Sequence, residues 1–241
     1  MNLNEMLPEE INRQNDVHAA GWDELNEQIV TCRLCPRLVA WRESVAAVKR
    51  RAYADWEYWG RPVPGFGDPL ARLLVVGLAP GAHGSNRTGR MFTGDASGDF
   101  FYPALYRAGF ANQPESIRRE DDLTLTDVFV SATARCAPPD NKPLPEEIRN
   151  CRRYLLKEMT FLPNVQGIVL LGKIAFDQIL TILGGSVPKT AKFAHGALYE
   201  LKNGLPWLLA SYHPSRQNTQ TGRLTQAMFD EIWTTARAKL R

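Results

Sequence analysis

The chain has 241 residues, 44% of them hydrophobic, with 29 Lys and Arg against 26 Asp and Glu and a formal net charge of +3. That length buries a substantial core as one α/β domain, and so small an excess of positive charge is only permissive for a polyanionic partner, whose affinity depends on where Lys and Arg cluster. No apolar run nears the ~20 residues needed to span a bilayer and no N-terminal segment pairs a basic flank with an apolar stretch, so the sequence predicts a cytoplasmic protein with no membrane partner.

Residues 1–50 read as polar and helical, the helices flanking a "TCRLCPRL" turn with Cys32 and Cys35 at its ends. Residues 51–69, "RAYADWEYWGRPVPGFGDP", are aromatic but broken by Pro and Gly, which predicts an ordered loop packed on the body and not a linker. Four continuous apolar runs follow: "LLVVG" from Leu73, "DVFVSA" from Asp127, "GIVLLG" from Gly167 and "WLLASY" from Trp207. Runs without apolar/polar alternation are what strands buried on both faces look like, and helical patterns lie between most of them. The prediction is a three-layer αβα fold around a central, mainly parallel, four-stranded sheet. It forms a single domain over residues 1–241 with an N-terminal helical extension over about 1–50. The last helix is expected to turn Leu224, Met228, Ile232, Ala236 and Leu240 inward, with Arg237, Lys239 and Arg241 off that stripe.

Ligands of open α/β sheets sit outside the carboxyl ends of the strands, so the loops there are where chemistry is sought. One such loop is "GLAPGAHGSNRTGRMFTGDASGDF", from Gly77 to Phe100, in which glycines let the backbone approach a ligand and polar residues crowd before a helix starting near Gly98. It has neither a G-K-[ST] ending nor G-x-G-x-x-G spacing, so both phosphate-loop templates fail. The other is "YHPSRQNTQTGRLT", residues 212–225, which places His213 at the end of a buried strand facing the same crevice. Cys32 and Cys35 form C-x-x-C, and Cys136 and Cys151 have fourteen residues between them. If the 136–151 segment folds back on the N-terminal helices, four thiolates meet around one centre, either a tetrahedral zinc or an iron–sulfur cluster; spacing alone does not separate the two. Pro36 directly after Cys35 speaks against a redox C-x-x-C, which belongs at a βα turn.

With "GLAPGAHGSNRTGRMFTGDASG", then "RCAPPDNKP", then "HPSRQNTQTGRLT" in that order, the chain resembles the type-5 uracil-DNA glycosylases over about residues 30–240. The resemblance implies a [4Fe-4S] cluster held by Cys32, Cys35, Cys136 and Cys151. It also implies excision of uracil and other deaminated or damaged bases, such as hypoxanthine, from DNA, leaving abasic sites, by a monofunctional monomer of broad base choice. A glycosylase must extrude its target nucleotide, at a cost of a few kcal/mol, and then stabilise negative charge growing on the departing base. By similarity, Gly77, Ala79 and Phe92 form the base pocket, Phe92 stacking on the base, and His213 donates to the anion. The positions that carry a water-activating side chain in other types are Leu78 and Ala79 here, both apolar. The resemblance implies that type-5 enzymes share that lack and keep the Asp of the "GDASG" stretch, here Asp95, to polarise or position the water, with Asp99, a helix-start residue, as runner-up. Where relatives read the base edge with an Asn, this chain has Ala132 in "VSATARC". That loss predicts weak discrimination among bases, and Asn141 is the group placed to restore part of the catalytic and recognition role. Ser215, Arg216, Gln217, Asn218 and Arg223 are expected on DNA, the two Arg on phosphates and the amides in the minor groove in place of an apolar wedge. A metal-dependent hydrolase using His213 and Asp95 as ligands, or a non-catalytic DNA-binding module stapled by its cysteines, are the alternatives.

Overall fold

In the computed structural model, which describes residues 20–240, the chain runs through α1 (20–30), α2 (Pro36–Val48), β1 (Phe66–Gly67), β2 (Leu73–Gly77), α3 (Ser85–Thr88), α4 (Gly98–Arg107) and β3 (Val128–Ala132). It continues through α5 (Pro145–Thr160), β4 (Gly167–Leu171), α6 (Lys173–Leu183), β5 (Leu198–Tyr199), β6 (Trp207–Ser211), α7 (Arg216–Gln220) and α8 (Gln226–Lys239). The helical reading of residues 1–19 lies outside the described residues.

The four apolar runs form the heart of one sheet, and every residue of β2, β3, β4 and β6 is buried. Successive side chains of a strand point to opposite faces, so each run serves two cores. Leu73, Val75, Val128 and Val130 meet Phe101 and Leu105 of α4 and Phe229 and Trp233 of α8 on one face. Leu74, Val76, Ile168 and Leu170 meet Trp22, Leu25 and Ile29 of α1 together with α5 and α6 on the other. This is the predicted three-layer arrangement. The sheet has six strands in the order β1-β3-β2-β4-β6-β5, with β3, β2, β4 and β6 mutually parallel and β1 and β5 antiparallel at the edges. The two extra strands are two residues each and too short to carry a hydrophobic period, so the expected four-stranded sheet is the parallel part of a six-stranded one.

On α8 the fully buried side chains are Phe229, Ile232, Trp233 and Ala236, whereas Met228 and Leu240 are half-buried and Leu224 lies before the helix. A strict spacing of four drifts around a helix of 3.6 residues per turn, so the inward face follows the i, i+3, i+4, i+7 positions instead. Because the four central strands run the same way, Gly77, Ala132, Leu171 and Ser211 end at one rim, and both singled-out loops leave from it.

Candidate active site

The loop after β2 continues beside the segment after β3. Thr133 N–H and Ala134 N–H donate to the carbonyls of Gly77 and Leu78, and the Thr133 hydroxyl donates to Leu78 O at 2.7 Å. The loop then folds onto itself. Arg90, buried, donates to Thr93 Oγ1 at 2.9 Å and makes a two-pronged ion pair with Asp121 at 2.7 and 2.8 Å, while the Tyr102 hydroxyl donates to Met91 O at 2.7 Å. These contacts hold Phe92 in the left-handed region, φ 51°, a conformation that a bulky residue adopts only when its surroundings impose it. The Phe92 ring stacks on Phe101 with centroids 4.6 Å apart and tilts toward His213 at 5.7 Å. Gly77 leaves room for the ring, since a Cβ there would come within 2.8 Å of Phe92 Cζ. A base sandwiched between two aromatic planes needs about 7 Å, twice an ordinary carbon contact, so the 5.7 Å between the Phe92 and His213 rings leaves no room for a base between them.

Asp95 lies three residues further on, pressed against the glycines of the same loop. Its Oδ1 accepts from Ser97 N–H at 3.0 Å and Gly98 N–H at 3.2 Å, the two amides that open α4, and its Oδ2 faces Gly81 and Gly84. Burial pushes its pKa up, and the two amide bonds oppose that shift. Asp99 is exposed in the first turn of α4, with its pKa also raised by burial of its carboxyl.

His213 follows β6 and sits deep in the cleft while keeping an accessible edge; burial pushes its pKa down to about 4. The imidazole is therefore neutral at pH 7 and carries one N–H donor. Beyond it Ser215 caps α7, accepting from Asn218 N–H, and the Asn218 amide donates to His213 O at 2.9 Å. Arg216 and Gln217 are exposed on the outer turn. Arg223 is exposed and lies over the Tyr212 ring at 4.6 Å. Ala79 is half-buried on the loop and Ala132 is buried at the end of β3. Asn141 is exposed in a single turn of 3-10 helix, with φ 56°, outside this packed set. Thus Gly77, Phe92, Asp95 and His213 are gathered at the strand ends, and Arg216 and Gln217 stand at their outer margin.

The family model for the uracil DNA glycosylase superfamily matches residues 64–237, which include both of these loops. The chain is 58% identical over 207 residues to a type-5 uracil-DNA glycosylase of Thermus thermophilus, covering 86% of this chain and 92% of that protein. It is 52% identical over 220 residues to the type-5 enzyme of Mycobacterium leprae, covering 91% and 96%, and 44% identical over 213 residues to that of Pyrobaculum aerophilum, covering 88% and 91%. The chain belongs to the uracil-DNA glycosylase superfamily, among its type-5 members.

In this superfamily member the four cysteines come together from three places. Cys32 precedes α2 and Cys35 caps it, Cys136 follows β3, and Cys151 is on α5. All four line one tight recess with Leu38, Arg42 and Arg135. Cationic and amide donors point at the sulfurs. Buried Arg42 donates to Cys136 Sγ at 2.9 Å, Asn150 to Cys35 Sγ at 3.4 Å, and Arg153 approaches Cys32 Sγ at 3.9 Å. Without a metal, burial pushes the Cys136 thiol up to about 12 and raises Cys151. Among the described residues no three His, Cys, Asp or Glu side chains stand together as a site for a single metal ion. The donor set itself, four convergent thiols with cations against them, fits a thiolate-ligated cluster.

Two site-supporting residues had no signal in the sequence. His195, before β5, stacks on Tyr212 at 5.1 Å, and its Nδ1 accepts the Tyr212 N–H at 3.2 Å. A backbone N–H only donates, so the ring proton is on Nε2, which donates to Met228 O at 3.2 Å. His195 thereby pins the Ser211–Tyr212 peptide, one residue ahead of His213. The other is Arg87 in α3, which is buried against the aromatic segment Tyr53–Trp56.

The buried histidines set a pH dependence. In the unfolded chain His213 protonates near 6.5, while in the folded chain it stays neutral down to about 4. The unfolded state therefore binds more protons below pH 6.5, and stability falls as pH drops from about 6.5 toward 4; His195, also lowered by burial, acts in the same direction. Compared with a His213→Gln variant in denaturant titrations at pH 7 and pH 4.5, wild type is expected to lose about 2 kcal/mol more. An unchanged difference between the two proteins would refute the burial of a neutral imidazole.

Proposed function

We propose that the chain hydrolyses the N-glycosidic bond of uracil in DNA, releasing the base and leaving an abasic site as the first step of excision repair. The observation that carries this reading is the neutral His213 donor at the end of β6, held beside the aromatic wall of Phe92 in a chain that belongs to this superfamily. Cleavage develops negative charge on the base and positive charge on the sugar, and a neutral N–H aimed at the former lowers the barrier with no proton to give away. Asp95, fixed by two amides at the start of α4, places the attacking water and balances the cationic sugar. The enzyme is monofunctional on this reading, acting as a monomer in the cytoplasm.

Broad base choice is supported by Ala132, which offers the pocket no side-chain hydrogen bond, so the wrong base leaves no buried partner unpaired there. Asn141 reaches the base only on a rearranged loop, since it is exposed here. The four cysteines hold a [4Fe-4S] cluster, whose contribution when bound is to cross-link α2, the segment after β3 and α5. Arg216 and Gln217 meet the DNA, and Asn218 serves the loop by bracing the His213 carbonyl. Arg223, over the Tyr212 ring, touches phosphate only at its outer edge.

The deciding experiment incubates purified protein with duplexes carrying uracil or hypoxanthine and scores alkali-labile sites. Uracil excision supports the assignment; binding without strand scission after alkali would leave a DNA-binding module. Gln217→Ala should slow excision from a U·G duplex about 10-fold and from single-stranded DNA much less, because only the duplex has a partner base to leave behind. Equal losses on both would remove Gln217 from the flipping step.

A further inference from the structure

Segment 51–59 packs two of its four aromatic rings, Tyr53 and Trp56, against one cation. The guanidinium of Arg87, a residue 3% exposed, lies 3.9 Å from the Tyr53 ring centroid and 4.0 Å from that of Trp56. Its Nε donates to His83 O at 2.8 Å and its Nη2 to Gly94 O at 2.7 Å. Its Nη1 is buried without a hydrogen-bond partner, and no carboxylate among the described residues lies within ion-pair distance of it. The segment returns the contact through its backbone, Trp59 N–H donating to Arg87 O and Gly60 N–H to Asn86 O. A buried arginine without a paired acid is costly to keep, which calls for a function beyond packing.

Gly94 immediately precedes Asp95, and the Asp95 carboxylate is close enough to Arg87 for their charges to interact. We propose that Arg87 is a positioning residue for Asp95, its guanidinium clamped by Tyr53 and Trp56 so that it fixes the Gly94 peptide next to Asp95 and adds a weaker, longer-range favourable charge. The inference rests on the reading of Asp95 as the water-placing acid. The other groups around the pair are Asp99, which opposes Arg87 in its effect on Asp95, Tyr102 on α4, and His83, whose pKa both Arg87 and Arg50 lower. With burial already raising the Asp95 pKa, removing the Arg87 charge or loosening the Gly94 peptide raises it further, so the acid limb of the rate profile moves to higher pH.

The test follows single-turnover uracil excision from single-stranded DNA across pH for wild type, Arg87→Met, a Tyr53→Leu and Trp56→Leu double variant, and Asp95→Asn. The double variant keeps Arg87 and changes two half-buried rings, so it remains informative if Arg87→Met does not fold. Both are expected to lose about 10-fold in rate at neutral pH with DNA affinity unchanged, and to shift the acid limb upward. In an Asp95→Asn background Arg87→Met should add nothing. If Asp95→Asn alone retains the wild-type rate and profile, the reading of Asp95 fails. If Asp95→Asn is impaired but neither the Arg87 variant nor the aromatic variant moves the acid limb, only the role given to Arg87 is overturned.

Discussion

His213→Ala slows single-turnover excision of uracil by about 10²- to 10³-fold, the loss typical of one donor to a developing anion, with DNA affinity nearly unchanged. The expectation follows from three facts about the residue: it stands at the end of β6, it faces Phe92, and its imidazole is neutral with a pKa of about 4. A donor that meets charge present only in the transition state affects the chemical step and leaves ground-state binding alone. Neutrality adds a second signature. A cationic imidazole would give a rate that falls as pH rises through 6 to 7, whereas a neutral donor leaves the profile flat there. A His213→Ala enzyme that excises at the wild-type rate would remove the assignment; a wild-type profile falling between pH 5.5 and 7.5 would replace the neutral donor with a charged one.

Cys136→Ala is expected to give the largest loss of stability. Structural metal centres in small domains supply on the order of 10 kcal/mol of folding free energy, comparable to the whole stability of a typical domain. Cys136 is buried, accepts from buried Arg42, and precedes the segment that must meet α2 and α5. Removing its sulfur leaves the Arg42 guanidinium without that partner as well. Little soluble protein should be recovered, and the remainder should lack iron and lose the helical signal of the N-terminal region. Protein purified without oxygen should be brown and contain iron. Stoichiometric zinc with no iron in wild type would overturn the cluster assignment while leaving the structural role of Cys136 intact.

The parallel strands were legible because burial on both faces writes an unbroken apolar run, and the rim of chemistry was legible because loops after such strands are where ligands bind. Phe92 and Asp95 lie in a long glycine-rich stretch and His213 in a long polar one, patterns that a buried strand or helix would not need. The four cysteines announced themselves by number and spacing. What could not be read was support from a distance. Arg87 sits among other polar residues of its loop, and only the fold brings Tyr53 and Trp56 over it. His195 precedes a strand too short to show a period, so its bond to Tyr212 has no local trace. Asn218 offers the same amide to DNA or to its own backbone, and composition cannot say that the His213 carbonyl receives it. The ion pair of Arg135 with Glu158, at 2.5 Å and shared with Ser131, is likewise three polar residues whose burial appears only in three dimensions.

The close approaches around the catalytic loop also bear on how this protein can vary. A Cβ at Gly84 would fall on the Asp95 carboxylate, and one at Gly98 on the Phe92 carbonyl. Every single-nucleotide missense change at a glycine codon adds at least that atom, so these positions have no mild neighbours in sequence space. The residues they accommodate are fixed in turn, since moving Asp95 or Phe92 would open gaps that one substitution cannot fill. Substitutions are therefore tolerated more readily at the outer turn, where Arg216 and Gln217 are exposed. The stretch from Gly77 to Gly98 is best transplanted between scaffolds as one inherited block, with segment 51–60 carried along to cover Arg87.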